Sequence, residues 1–281
     1  MTLLPTRFAH HAVLVLGFMT LAAPADAQVV DNFQSYTPGQ LPSPTWFDAG
    51  AVLPIGRIPP FPSGYIISTT DAFGHPTQAV TTTGALATSK GIYTNVPIAN
   101  FYTLHADARV DRYSDAPDAT TNDWAIQLTF GQNGVDNWAY GPQAGIYASS
   151  LTQGWRLFAT AGGTSADIDL GVAAVVGTWY TVRQSFDILT GQFHSQIFDT
   201  ATGTTLVDQF NTLAGWDPTG VQFDSFAFFG GDLSPDDTVG NIGVIDNVNI
   251  TAVTTPEPSS IALLATGLLP LVGLARRRRS V

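Results

Sequence analysis

The chain has 281 residues, no cysteine and a formal net charge of −11. Between Gln28 and Thr255 it holds 20 Asp, no Glu, five Arg and one Lys, a formal charge of −14. So acidic a body argues against DNA, RNA and anionic lipid as its partners, because phosphate binding needs basic groups; it suits a secreted protein, and one able to take up cations.

The N-terminus reads as a secretory signal. Arg7 and His10-His11 precede an apolar run from Ala12 to Ala23, and Ala25-Asp26-Ala27 supplies the small-x-small pattern of a signal peptidase site. Residues 1–27 are therefore expected to be removed, with Gln28 the first mature residue. The alternative, an uncleaved N-terminal helix, fits less well, since the run is short for a membrane span. An exported chain without disulfides must be held by its core, by metal or by both. The 228 residues from Gln28 to Thr255 are long enough for one large domain, and the 17 Phe, 8 Tyr and 6 Trp of the chain supply core material.

The body opens with a short predicted strand, Val29 to Phe33, followed by turn chemistry at Pro38-Gly39 and Pro42-x-Pro44. Pro54, Pro59, Pro60 and Pro62 mark an extended, loop-like surface segment, because proline removes ladder donors. Beyond it, short apolar-alternating runs recur at β-sandwich spacing. They are Tyr65–Thr70, Ala79–Thr83, Gly91–Val96, Tyr102–Val110, Trp124–Phe130, Gly145–Ala148 and Trp155–Ala159, then Ala166–Leu170, Trp179–Phe186, Phe193–Phe198, Thr205–Phe210, Phe223–Phe229 and Val244–Thr251. No stretch of the body has a capped helical period. Asp187-x-x-Thr190-Gly191 and Asp199-x-x-Thr202-Gly203 repeat one loop at a spacing of 12. Asp can accept turn N–H groups and Gly can take positive φ, so the repeat predicts a three-stranded meander and belongs to hairpin construction.

The segment GTWYTVRQSFDILTGQFHSQIFDTATG, with the late GVIDNVNI and the opening DNFQSYTPGQL, resembles concanavalin-like (laminin-G-like) domains. The resemblance covers the two ends of the body and implies an all-β, two-sheet antiparallel jelly-roll sandwich over residues 28–252. Glucanases of this shape use a Glu-x-Asp-x-x-Glu strand, which a body without glutamate cannot contain. An Asp pair can in principle replace it. Asp167 and Asp169 share a strand face, but they lie beside Gly162-Gly163, where an edge or turn is expected. There is no Gly-x-Ser-x-Gly elbow, no Cys nucleophile and no phosphate-binding glycine loop. His75 lies in a Gly-His-Pro turn, and His105 and His194 lie within strands without zinc spacing. The body is expected to be non-catalytic; a carbohydrate-active enzyme, hydrolase or lyase, using Asp carboxylates is the alternative.

Two loops are Asp-rich. One supplies Asp111, Asp115, Asp118, Asn122 and Asp123; the other supplies Asp232, Asp236, Asp237 and Asn241. Clustered carboxylates suit Ca²⁺, although neither loop has the EF-hand spacing and a solvated acidic loop is the simpler account. In many jelly rolls the first and last strands are neighbours with a structural calcium near their ends, which makes Asp31 and Asp246 further candidates for Ca²⁺. Trp138 and Tyr140, beside turn residues and flanked by Asp and Asn, form a candidate stacking platform for sugar rings, with core or rim packing as the alternative.

From Ser259 to Ala275 the chain has no charge, a run of about 25 Å as a helix. Arg276, Arg277, Arg278 and Arg279 follow and would stay cytoplasmic. The order Pro256-Glu257-Pro258, apolar run, arginine cluster, chain end resembles the PEP-CTERM sorting signal, with residues 253–281 as the tail. The resemblance implies recognition of Pro256, Glu257 and Pro258 by a membrane exosortase, with Arg276–Arg279 as stop-transfer. A plain membrane anchor is the alternative. Together these features predict an exported structural or adhesive protein of the envelope or matrix, anchored transiently, with extracellular polysaccharide as a candidate partner; the PEP-CTERM resemblance implies a Gram-negative host.

Overall fold

The computed structural model describes residues 27–48, 64–82, 88–115, 124–132, 142–161, 165–232 and 240–254, with the backbone alone at residues 27, 48, 64, 88–90, 231 and 232. The described strands all fall within Asp26–Thr255. They are β1 (Ala27–Asp31), β2 (Phe47–Asp48), β3 (Gly64–Thr70), β4 (Pro76–Thr82), β5 (Thr88–Asn95), β6 (Phe101–Arg112), β7 (Trp124–Gly131) and β8 (Gln143–Ser149). The second half holds β9 (Gly154–Ala159), β10 (Ala166–Ala173), β11 (Trp179–Asp187), β12 (Gln192–Asp199), β13 (Thr205–Thr212), β14 (Ser225–Asp232) and β15 (Ile242–Val253). Every pairing is antiparallel. One sheet runs β13-β12-β11-β6-β15-β4-β3, with β1 also on β15; the other runs β10-β9-β8-β7-β14-β5-β2. The protein is thus an all-β, two-sheet jelly-roll sandwich. Among the described residues no helix is long and apolar enough to cross a membrane. The expected signal helix, the proline-rich stretch 54–62 and the C-terminal helix 259–275 lie outside the described residues.

Period-two patterning builds the larger sheet. In β6, Tyr102, Leu104, Ala106, Ala108 and Val110 are buried and alternate with partly exposed Thr103, His105, Asp107 and Arg109. In β11 the buried inward set is Tyr180, Val182, Gln184 and Phe186, with Trp179 buried separately beside Ala79 and Val244, and in β12 it is Phe193, Ser195 and Ile197. One face of each strand therefore enters the core, where removal of apolar surface from water stabilises by about 2 kcal/mol per large side chain. Aromatic pairs knit the layer: Phe186 stacks on Phe193 with ring centroids 4.1 Å apart, and Trp155 meets the Tyr180 ring edge-on at 5.7 Å.

β15 joins this sheet together. Along one side it pairs with β6 from Arg112 to Phe101. Along the other it pairs first with β4 through Val244 and Ile245, then with β1 through Val248 to Ala252. The change of partner coincides with a bulge between Asp246 and Asn249, where Asn247 takes a φ of 51°. Asn is among the few non-Gly types that tolerate that region.

The first predicted strand is shorter than expected. It ends at Asp31, not Phe33, because the Asp31 carboxylate accepts the Phe33 N–H at 2.8 Å and turns the chain. Phe33 then adopts a φ of 57° and inserts fully into the core against Trp46, centroids 5.6 Å apart. The two-residue β2 has too little periodicity to show in the sequence.

The meander β11-β12-β13 forms as the D-x-x-T-G repeat predicts. Asp187 accepts Leu189 N–H at 2.9 Å and Asp199 accepts Thr202 N–H at 2.9 Å, while Gly191 and Gly203 take φ values of 66° and 68°. The two loops differ in surroundings. A Cβ on Gly203 would meet open space, whereas one on Gly191 would overlap the Trp216 ring. Trp216 is held there by its Nε1–H, which donates to Ile188 O at 2.6 Å, and by edge contact with Phe186. Gly203→Ala is therefore expected to lose about 1 kcal/mol for the left-handed backbone alone. Gly191→Ala should lose about 3 kcal/mol as the ring is displaced as well. Paired urea melts check this, and equal losses would refute the Trp216 contact.

Candidate functional site: a polar groove across the larger sheet

The outer face of the larger sheet carries two ordered rows of side chains that cross its strands. Strand register places Val30, Asn249, His105, Arg183, Gln196 and Asp208 side by side on β1, β15, β6, β11, β12 and β13. The adjacent row is Gln28, Thr251, Thr103, Ser185, His194 and Phe210 on the same six strands. The middle four members of each row surround a depression of about 260 Å³. Six strands at about 4.8 Å spacing give each row a length of about 24 Å.

Each row is organised by its own contacts. Gln28 Nε2 donates to Asn249 Oδ1 at 3.0 Å and fixes that amide. The Arg183 guanidinium sits over the Phe198 ring, 5.0 Å from its centroid. His194 Nε2 lies 2.6 Å from Asp208 Oδ1, and its ring stacks on Phe210 at 4.0 Å with 7° between the planes. Phe210 is 66% exposed, a large aromatic ring presented to solvent at the end of the groove. Burial, together with the adjacent Arg183 charge, lowers the His105 pKa, while Asp107 opposes the shift. At neutral pH that imidazole is therefore a neutral donor and acceptor. The groove thus offers amides, hydroxyls, imidazoles and one guanidinium, fixed on a rigid sheet.

The other residues singled out in the sequence are dispersed. Asp31 is engaged within the fold: its oxygens accept the Phe33 N–H, the Tyr36 hydroxyl at 2.7 Å and the Trp46 indole N–H at 2.9 Å. Asp246 accepts Asn247 N–H at 2.7 Å and the Thr77 hydroxyl at 3.0 Å, and burial raises its pKa to about 6. Among the described residues no three His or Asp side chains gather to hold a metal ion. Asp232 ends β14 with only its backbone described, and Asp236 and Asp237 lie outside the described residues. Asp111 pairs with Arg109 at 2.5 Å, and Asp118, Asn122 and Asp123 lie outside the described residues.

Asp167 and Asp169 lie on β10, an edge strand as expected, and both reach Arg156, at 2.8 and 3.4 Å. They act as that arginine's counter-charges. His75 sits in its turn, where its N–H donates to Asp71. Trp138, Tyr140, Pro256, Glu257, Pro258 and Arg276–Arg279 lie outside the described residues. His105 and His194 are the sequence candidates that the groove brings together, alongside Arg183, Gln196 and Asn249, which period-two alternation marks as outward-facing without showing that they share a row.

Residues 254–279 match the PEP-CTERM protein-sorting motif. The chain is therefore an exported β-sandwich protein that carries the envelope-sorting signal processed by an exosortase. No curated protein matches the sequence. A protein of unknown function from Shewanella oneidensis MR-1 is similar in structure, at 12% identity and a TM-score of 0.52, over 90% of this chain and 97% of that one. This likeness concerns the fold alone. Weaker likenesses are to arcelin-5, a lectin-like defence protein from Phaseolus vulgaris (7% identity, TM-score 0.49, 82% and 99% of the two chains), and to peanut lectin (12%, 0.49, 82% and 100%).

Proposed function

We propose that the protein is a non-catalytic envelope or matrix component that binds linear polysaccharide along the outer groove of its larger sheet. The observation that carries this proposal is the pair of register-aligned polar rows, about 24 Å long, ending on exposed Phe210. That length accommodates about four or five sugar rings at roughly the strand spacing. Hydroxyl-rich ligands need many fixed donors and acceptors beside an apolar face, and the rows supply both. The PEP-CTERM tail supports delivery to the surface: export by the general secretory route, transient anchoring through 259–275 with the body outside, and release at Pro256-Glu257-Pro258.

The full chain is expected to be retained on at least one member of a panel of neutral and acidic immobilised polysaccharides. Asn249→Ala and His194→Ala should each weaken that retention about tenfold with unchanged melting temperature. Retention unaffected by both variants would remove the groove, and Trp138→Ala in the same assay tests Trp138 as the contact instead. If calcium has a structural role, the proposed ligands are Asp246 and Asp31, near the ends of β15 and β1, or Asp232, Asp236 and Asp237. Calcium should then raise the melting temperature and a chelator lower it, and no shift either way would refute calcium binding.

A further inference from the structure

Resting on the groove as a glycan site, we infer that its ligand is an anionic, carboxylate-bearing polysaccharide, with Arg183 as the residue that recognises the acid group. The body has 20 Asp and five Arg, so chance would line most surface depressions with carboxylates. The lining of this one contains none; Asp208 stands at its rim, engaged by His194. Of the four described arginines, Arg109 is paired with Asp111, Arg156 with Asp167 and Asp169, and Arg112 donates to Gly240 O at 2.9 Å. The Arg183 side chain alone has neither an ion pair nor a hydrogen bond among the described residues; it lies exposed over Phe198.

That arrangement suits recognition. The ring supports the guanidinium plane without consuming its N–H groups, so the five donors remain available in their fixed fork. A carboxylate takes two of them in parallel, a geometry that neutral hydroxyls cannot reproduce. Around it, the Asn249 and Gln196 amides and the Ser185 and Thr251 hydroxyls are positioned for the hydroxyls of neighbouring rings. The net negative charge of the body does not oppose this, because charges beyond about 8 Å are largely screened at physiological ionic strength.

The test compares one polymer in two charge states. In affinity gel electrophoresis the full chain should be retarded by polygalacturonate and at least tenfold less by its fully methyl-esterified form. Arg183→Gln should abolish the preference, and Arg183→Lys should keep part of it. The methyl ester removes the ligand charge without touching the protein, so the comparison stands even if a variant fails to fold. Equal retardation by both forms, with loss in Asn249→Ala, would overturn the anionic preference and leave the groove as a glycan site. Retention by neutral panel members but not by polygalacturonate would do the same. No retention by any polymer would overturn both the preference and the site.

Discussion

Asp31→Ala is expected to lower stability by about 4 kcal/mol, a fall in melting temperature on the order of 10 °C for a body of this size. The Asp31 carboxylate accepts three hydrogen bonds, from the Phe33 N–H, the Tyr36 hydroxyl and the Trp46 indole. Phe33 and Trp46 are fully buried, so two of these donors would lose their partner without access to water. Each such orphan costs about 1–3 kcal/mol. Phe33 would also keep its positive φ without the bond that imposes it. Asp31→Asn retains one acceptor oxygen and turns an NH₂ against the remaining donors, so about half the loss is expected. Urea melts of the two variants measure both. A loss below about 1 kcal/mol in Asp31→Ala would mean that water or a neighbouring carbonyl takes over the donors.

Asp246→Asn should act in the opposite direction. Asp246 is 3% exposed, and burial, reinforced by Asp107 and Asp31, raises its pKa from 3.8 to about 6. Between those values the folded protein holds a proton that the unfolded chain has released. The contribution of this carboxyl to stability is therefore greatest in acid and falls as pH rises through about 6, by about 3 kcal/mol in all. Asparagine is neutral at every pH and keeps an oxygen for the Asn247 N–H. Relative to wild type, Asp246→Asn should gain less than about 1 kcal/mol at pH 4 and about 3 kcal/mol at pH 7.5. Melts of the two proteins at these pH values decide it. An unchanged pH profile in the variant would show that the charge of Asp246 is satisfied in the fold.

Strand identity was legible wherever one face of a strand meets the core and the other meets solvent. β6 and β12 alternate along their inner residues and β11 does so from Tyr180 onward, and their bounds fall within two residues of those read from the sequence. The fold class follows from that rhythm and from the D-x-x-T-G hairpins. The contacts of Asp31 were not legible, because they include Trp46, 15 residues on; nothing local distinguishes a carboxylate that caps a turn from one that awaits a cation. The groove was only partly legible. The β11-β12 hairpin fixes Arg183 opposite Gln196 and Ser185 opposite His194, and its short loop makes that register readable. The neighbours of Arg183 in the other direction, His105 and Asn249, arrive through pairings across 78 and 144 residues, which depend on how β6 and β15 enter the sheet. Alternation says which side a residue faces; only tertiary register says which residues share a row.

β15 has a further consequence, for the timing of assembly. It is the only strand among those described that links β6, β4 and β1 within the larger sheet. Until it is in place, that sheet exists as separate pieces: the β3-β4 hairpin, the β6-β11-β12-β13 unit and an unpartnered β1. A chain exported N-terminus first delivers β15 after every other strand. Its closing contacts also span much of the sequence, with the loop-entropy cost that such pairing carries. Val253 is followed within three residues by Pro256 of the sorting motif. A polypeptide cut short anywhere before Ile242 therefore loses its address and its ability to close the sheet in the same event.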